Sequence, residues 1–274
     1  SGFLQWPEGA QPHIVPKNDQ DNPQSSEWLL QKCFNGVCGG AATCAGLIGL
    51  NADKSGLSSI GSDMRACYDA TSVNLDEMTW GNQAPAQYTA RLSGSNIKMQ
   101  TDIVGQHGVV NNDLPYVSGT TSDKVSFGRI KGEGTFCSLT RYTSSNSQKR
   151  ILLGGKPGGA SNWLHGHWGG LAGTAYYNGW VFRDSVTPKT NWVAMCLQNG
   201  GTQGYINDRP ITTAMATTQA KGEFDVYINH NPSGCCGTER SDFGVAFVVS
   251  WNRDLSMDEM KFVSSFLRKG VGGG

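Results

Sequence analysis

The stretch DFGVAFVVSWNRDLSMDEM, residues 242–260, contains two adjoining patterns that together indicate the fold. Its first part, residues 245–250, is apolar almost throughout, which is typical of a β-strand buried on both faces. Its second part has Ser256 followed three residues later by Glu259, the capping box that begins an α-helix. A buried strand that runs directly into a capped helix predicts a β-sheet with one helix packed against it.

The residues after this stretch complete the helix. Apolar side chains recur at helical spacing and would form one stripe, Phe262, Val263, Phe266 and Leu267. Gly270 is a typical residue for ending such a helix. We therefore expect a C-terminal helix that covers one face of the sheet.

The composition of the chain favours many short strands. Its 274 residues include 37 glycines and 10 prolines, and only 16% are charged. Residues 135–142 alternate between two faces, and Asn178–Gly179 is a hairpin signal between apolar runs. These features predict an all-β fold, an antiparallel β-sandwich of the jelly-roll kind with the C-terminal helix and a Cys-containing N-terminal extension.

Charge and hydropathy exclude two classes of partner. The 22 basic and 22 acidic side chains balance, and no basic stripe stands out, so we expect no nucleic acid as a partner. No apolar run approaches the roughly 20 residues that a membrane helix needs, so we expect no membrane insertion.

The cysteines indicate a secreted or surface protein. Their number is even, and we predict that most are disulfide-bonded: Cys33, Cys38, Cys44, Cys67, Cys137, Cys196, Cys235 and Cys236. Zinc is the alternative, but the first three have spacers of four and five residues and no paired C-x-x-C follows. The adjacent Cys235 and Cys236 are expected to bond to two different partners, because a vicinal disulfide strains the peptide between them.

The first 61 residues differ from the rest. Four prolines punctuate a polar segment that has no sustained period, Pro7, Pro12, Pro16 and Pro23. We predict three parts: an extended, disulfide-stapled segment at 1–61, a jelly-roll domain at 62–270, and a Gly-rich tail at 271–274.

Five short motifs in order resemble the laminin-G-like branch of the concanavalin A-like lectin and glucanase domains. They are YDATSV at 68–73 with TW following at 79–80, TFCSLTRY at 135–142, NWVA at 191–194, YIND at 205–208 and RDLSMDE at 253–259. The resemblance covers about residues 62–270 and implies a jelly roll. It also implies binding of a glycan or a neighbouring protein, and more rarely sugar cleavage. Asp208 stands where the family's hairpin usually has glycine.

The candidate catalytic residues are incomplete. Glu223 and Asp225 begin an E-x-D-x-x-E arrangement of the kind that retaining glucanases use, but Ile228 occupies the third position. No G-x-S-x-G nucleophile elbow is present. We expect no catalytic residues and a protein that is not an enzyme.

The densest local cluster is WLHGHW at 163–168. Its tryptophans could form a platform on which sugar rings stack, with histidines bonding the hydroxyls; the candidate glycan-binding residues are Trp163, His165, His167, Trp168, Tyr177 and Trp180. The alternative is a strand whose tryptophans pack in the core and whose histidines bond backbone carbonyls. Two histidines without a third ligand do not make a metal site.

Calcium is a further candidate ligand, because the resemblance to laminin-G-like domains implies it: such domains often bind calcium at the rim formed by their loops. Asn207, Asp208 and Asp242 could supply oxygen ligands, although no dense acidic loop appears and isolated aspartates commonly cap turns.

The sequence thus predicts an extracellular, non-catalytic recognition or adhesion domain that binds a glycan or a cell-surface or matrix partner. One alternative is a structural subunit of a filament, coat or matrix that self-assembles through the N-terminal arm. Another is a glycoside hydrolase.

Overall fold

The computed structural model describes residues 42–48, 59–85, 88–109, 112–155, 162–183, 185–199, 202–212, 222–232, 236 and 238–268. The helices are α1 (Cys44–Ile48), α2 (Ser59–Ser62) and α3 (Met257–Leu267), with a 3₁₀ turn at Ala70–Ser72. The strands in chain order are β1 (Met64–Asp69), β2 (Val73–Asn74), β3 (Thr79–Trp80), β4 (Ala90–Ser93), β5 (Lys98–Asp102), β6 (Leu114–Gly119), β7 (Lys124–Lys131), β8 (Phe136–Tyr142), β9 (Leu152–Gly155), β10 (Trp163–Trp168), β11 (Leu171–Tyr177), β12 (Trp180–Arg183), β13 (Val193–Leu197), β14 (Gln203–Ile206), β15 (Arg209–Thr212), β16 (Phe224–Ile228) and β17 (Phe243–Trp251). None of these helices has the length and apolarity that crossing a membrane requires.

The strands form two antiparallel sheets, which confirms the predicted all-β sandwich. Sheet A has the order β15-β14-β13-β8-β17-β6-β5, and β1 also pairs with β17. Sheet B has the order β12-β11-β10-β9-β16-β7-β4-β3-β2. Successive strands from β5 onward cross repeatedly between the two sheets, as the chain of a jelly roll does.

Strand β17 occupies the middle of sheet A, as its apolar sequence predicts. All nine of its residues are buried. Its first part pairs with β6 through residues 243–245, and its second part pairs with β1 through residues 247–251. Along its other edge it pairs with β8. Such a strand has no face toward water, which explains why its sequence does not alternate between apolar and polar residues.

Two apolar cores lie on the two faces of sheet A. Phe136 and Tyr142 of β8 join the core between the sheets, whereas Cys137 and Leu139 join the core on the opposite face. The alternation predicted for residues 135–142 is therefore confirmed. The second core is closed by α1, α2 and α3, whose buried residues include Leu47, Ile60, Phe262 and Phe266.

Helix α3 begins with the predicted capping box. Ser256 Oγ accepts from the Glu259 N–H at 3.2 Å, and Glu259 Oε2 accepts from the Ser256 N–H at 2.8 Å. The apolar stripe of this helix is buried against sheet A. The prediction of a C-terminal helix covering the sheet is confirmed.

Two disulfides lie in the second core, which the helices close. Cys44 of α1 is bonded to Cys67 of β1, and Cys137 is bonded to Cys196 directly across β8 and β13. Cys236 is also disulfide-bonded. Cys33, Cys38 and Cys235 lie outside the described residues. So do the N-terminal prolines, the polar arm and the Gly-rich tail.

Candidate functional site: an aromatic pocket on sheet B

A pocket of about 190 Å³ opens on the outer face of sheet B. Its lining consists of Arg150, Asn162, Leu164, Trp168, Tyr176 and Trp180. This volume is below the roughly 300–1,000 Å³ of sites for drug-sized ligands, so it suits a single ring-sized group.

Three consecutive strands of sheet B supply the aromatic rings. Tyr176 of β11 lies directly opposite Leu164 of β10 on one side and Trp180 of β12 on the other. Residues paired in this way share one face of the sheet. The turn between β11 and β12 is the predicted Asn178–Gly179 turn, and Asn178 has φ 56°, the left-handed conformation that asparagine tolerates.

The rings hold one another edge to face. The centroid of Trp180 lies 5.1 Å from that of Trp168 and 5.2 Å from that of Tyr176, at interplanar angles of 64° and 82°. All three side chains are half-buried. Their positions are fixed by these contacts, and each keeps part of its ring surface open.

An ion pair between buried Arg150, which lines the pocket, and half-buried Glu239 lies beside the pocket. Arg150 Nε donates to Glu239 Oε2 at 2.5 Å, and Trp168 Nε1 donates to Glu239 Oε1 at 3.0 Å. Arg150 Nη1 also donates to Asn162 Oδ1 at 2.5 Å. Burial lowers the pKa of the Arg150 guanidinium, and the Glu239 carboxylate opposes that shift. One carboxylate thus fixes both the arginine and the tryptophan.

A second arginine lies over the aromatic rings at the rim. The Arg183 Cζ is 4.8 Å from the Trp180 centroid and 5.8 Å from the Trp168 centroid. These are cation–π distances, and the Arg183 side chain is exposed.

The structure divides the tryptophan–histidine cluster between two faces of sheet B. Trp163, His165, His167 and Tyr177 are at most 1% exposed and lie between the sheets, so they present no surface to a glycan. This corrects the sequence-based assignment of these four residues to the candidate binding surface. The physical reason is strand parity, because side chains at 163, 165 and 167 share the inner face.

The buried histidines are engaged inside the sandwich. His165 Nε2 lies 3.2 Å from the Met195 carbonyl, which can only accept, so Nε2 carries the proton and Nδ1 accepts from the Tyr177 hydroxyl at 2.8 Å. His167 Nδ1 lies 3.2 Å from Thr140 Oγ1. Burial lowers the pKa of His165 to about 4 and that of His167 to about 3. Both rings are neutral at neutral pH.

The three residues proposed for calcium are occupied by protein partners at separate places. Asn207 and Asp208 form the turn of the β14–β15 hairpin, with φ values of 49° and 62°. The Asp208 carboxylate accepts from Arg268 Nη1 at 3.0 Å. Asp242 Oδ1 accepts from the N–H of Thr121, next to the start of β17. The described residues hold no group of three His, Cys, Asp or Glu side chains arranged for a metal.

The carboxylates considered for catalysis are paired with arginines. Glu223 Oε1 lies 2.5 Å from Arg65 Nη1, and this hydrogen bond lowers the pKa of Glu223. Asp225 Oδ1 lies 3.8 Å from Arg129 Nε and accepts from the Tyr227 hydroxyl through Oδ2. A general acid needs a raised pKa, whereas that of Glu223 is shifted in the opposite direction.

Several lining residues could not be singled out from the sequence. Tyr176 differs from its buried neighbour Tyr177 only in strand parity, which would have been a usable signal. Arg150 and Glu239 are 89 residues apart, and no local pattern connects them.

Comparison with known proteins gives the fold. A scan against protein-family models finds no match, and a search of curated proteins finds none either. Among solved structures, domain 4 of an extracellular GH43 arabinanase from Geobacillus stearothermophilus, in complex with arabinotriose, is similar at a TM-score of 0.52 and 9% identity. The alignment covers 74% of this chain and 98% of that domain.

Two further structures are similar at lower scores. The binding domain of botulinum neurotoxin serotype D/C has a TM-score of 0.48 at 10% identity, covering 75% of this chain and 52% of that one. Trypanosoma rangeli sialidase has a TM-score of 0.47 at 13% identity, covering 89% and 37%. This chain therefore spans about half of the toxin domain and about a third of the sialidase. The similarity to the arabinanase domain is one of fold alone, and it agrees with the two antiparallel sheets of this chain: a β-sandwich of the jelly-roll kind.

Proposed function

We propose that this protein is a non-catalytic, extracellular recognition domain of the laminin-G-like type that binds a glycan through the aromatic pocket of sheet B. The observation that carries the proposal is the arrangement of Trp168, Tyr176 and Trp180 around a ring-sized pocket. Half-buried aromatic rings bind the C–H faces of sugars while adjacent polar groups bond the hydroxyls.

The polar groups at the pocket support this proposal. Asn162 lines the pocket and its side-chain oxygen accepts from Arg150, while Glu239, which is not a lining residue, binds Arg150 and the Trp168 indole. A side-chain oxygen that accepts one hydrogen bond can accept a second, and a sugar hydroxyl can donate it. A site with fixed positions loses little conformational entropy when a ligand binds.

Different observations support the proposed type of domain and the proposed ligand. The arabinanase domain that shares the fold was solved with arabinotriose, but at 9% identity its ligand is not evidence for this chain. The laminin-G-like subtype has its support in the ordered motifs, including the YIND hairpin at 205–208 and RDLSMDE at 253–259. The glycan has its support in the pocket alone.

A non-catalytic role is favoured by the electrostatics of the carboxylates. Glu223 is bound to Arg65 and has a lowered pKa, which suits a structural ion pair better than a proton donor. Reducing-sugar release from a polysaccharide panel, lost in Glu223→Gln, would instead identify a hydrolase.

An extracellular location is favoured by the disulfides. Cys44–Cys67 and Cys137–Cys196 are of the kind that forms and persists in oxidising compartments. Assembly through the N-terminal arm concerns residues outside the described part of the chain and remains the alternative for the partner.

The experiment compares how strongly immobilised glycans retain the wild type, Trp180→Ala and Tyr88→Ala. Trp180→Ala is expected to lose retention, because it removes the ring at the centre of the aromatic group. Tyr88→Ala is the matched control, since Tyr88 is a 38% exposed aromatic residue that does not line the pocket. Retention that is unchanged in Trp180→Ala would contradict the proposal.

A further inference from the structure

One cationic side chain lies over the aromatic rings of the pocket. It is Arg183 of β12, the edge strand of sheet B in the described chain. The side chain is exposed.

The aromatic contacts of Arg183 place its guanidinium beside the pocket. Its Cζ lies 4.8 Å from the centroid of Trp180 and 5.8 Å from that of Trp168. A cation–π contact takes up no hydrogen-bond acceptor, so it leaves N–H groups of the guanidinium available to a ligand. Within the described part of the chain, those N–H groups have no carboxylate at ion-pair distance and no hydrogen-bond acceptor.

Among the described residues, no carboxylate pairs with Arg183. Glu239 is the carboxylate bound to the lining residues Arg150 and Trp168. Within the described part of the chain, the positive charge of Arg183 is therefore available to a ligand.

We propose that the pocket selects an acidic glycan, in which a carboxylate or sulfate on the sugar pairs with the guanidinium edge of Arg183 while the ring contacts Trp180. This inference rests on the proposed glycan binding and adds the class of sugar. A planar carboxylate matches the guanidinium through two parallel hydrogen bonds, and a sulfate ester offers the same negative oxygens in a tetrahedral arrangement.

The test uses pairs of glycans in which one member lacks the charge. Polygalacturonate is compared with its methyl ester, which removes the carboxylate charge, and carrageenan is compared with the same carrageenan after chemical desulfation. Binding of the full chain is measured by calorimetry for the wild type, Arg183→Gln and Arg91→Gln. Arg91 is an exposed arginine on β4, six strands away in sheet B, or about 29 Å at about 4.8 Å per strand.

The expected result is a preference of the wild type for one acidic member over its neutral counterpart. The acidic member that binds identifies the anion as carboxylate or sulfate. Arg183→Gln is expected to weaken that binding by about 10- to 100-fold, as loss of a charge-assisted bidentate pair does, and so to remove most of the preference for the acidic member. Arg91→Gln is expected to bind as the wild type does.

Two results would overturn the inference and can be told apart. Equal binding of acidic and neutral members, unaffected by Arg183→Gln, would refute the acidic preference and leave glycan binding intact. Binding of none of the four polymers, together with no retention on the broader glycan panel, would refute both. Because Arg183 is exposed, its replacement is expected to leave the melting temperature unchanged, and this is measured in parallel.

Discussion

Trp163 and Trp168 lie at the two ends of strand β10 and face opposite sides of sheet B. Trp163 is fully buried between the sheets, where its ring contacts Phe136 and Tyr177. Trp168 is half-buried on the outer face and donates its indole N–H to Glu239. They are five positions apart, and an odd number of positions along a strand places two side chains on opposite faces.

This relationship predicts different effects for tryptophan substitutions. Trp163→Ala is expected to lower the free energy of unfolding by about 3–5 kcal/mol, the cost of removing a large buried ring. Trp180→Ala, at a half-buried position, is expected to cost about 1 kcal/mol. Urea denaturation measures both. Similar losses in the two variants would contradict the division between core and pocket.

Glu239 is predicted to stabilise the folded protein through its ion pair with Arg150. Glu239→Gln replaces a charged acceptor by a neutral one beside Arg150, whose side chain is 7% exposed. We expect a loss of about 1–3 kcal/mol, because a nearly buried guanidinium loses its ionic partner. Glu77→Gln is the control, since Glu77 lies exposed in the turn after β2. The prediction fails if both variants unfold at the same denaturant concentration.

The sequence predicted those elements that have a strong local pattern. The capping box at Ser256 is confirmed, and the apolar strand predicted at 245–250 is observed at 243–251, because each is encoded within a few neighbouring residues. Strand β5 was missed, because its sequence KMQTD lies at an edge of sheet A and is mostly exposed. An edge strand has little apolar surface to bury and so shows no clear alternation.

The sequence predicts some of the residues that line the pocket and misassigns others. Trp168 and Trp180 were named as candidates and do line the pocket, whereas Trp163 and the two histidines were placed there by proximity in sequence. Parity along the strand, together with knowledge of which face is inner, separates the two groups. The Arg150–Glu239 pair depends on contacts made only in the folded chain.

Acidification is predicted to destabilise the protein through the buried histidines. The pKa of His165 is about 4 and that of His167 about 3, against 6.5 for an unburied histidine. Below pH 6.5 the unfolded chain therefore binds protons that the folded protein does not. The contribution of these histidines to the free energy of unfolding is complete above pH 6.5 and decreases as the pH is lowered. The expected slope approaches about 1.4 kcal/mol per pH unit for each histidine.

Denaturation between pH 6.5 and 5 measures this slope in a window above the usual pKa range of carboxylates. His167→Gln removes one buried titrating group, so its slope is expected to be shallower than that of the wild type. The half-buried His230 also has a lowered pKa and contributes to the slope of both proteins equally. A stability that does not change across this window would contradict the burial of His165 and His167.

Calcium is predicted to leave stability unchanged. Asp208 is bound to Arg268 and Ser265, and the side chain of Asn207 accepts from the Ala194 N–H. These oxygens are therefore committed to protein partners and do not converge with Asp242. Melting temperatures in millimolar Ca²⁺ and in EDTA are expected to agree. An increase in melting temperature that saturates with Ca²⁺ would show that a site exists.

The most direct test of glycan binding is an NMR titration that follows the indole N–H signals of the tryptophans, assigned by single Trp→Phe variants. Ligand from the glycan panel is added to the ¹⁵N-labelled full chain. We predict that the signals of Trp168 and Trp180 shift in a saturable way while those of Trp80, Trp163, Trp192 and Trp251, all at most 1% exposed, stay in place. Saturable shifts confined to the buried four, or no shifts with a glycan that the protein retains, would contradict binding at the aromatic pocket.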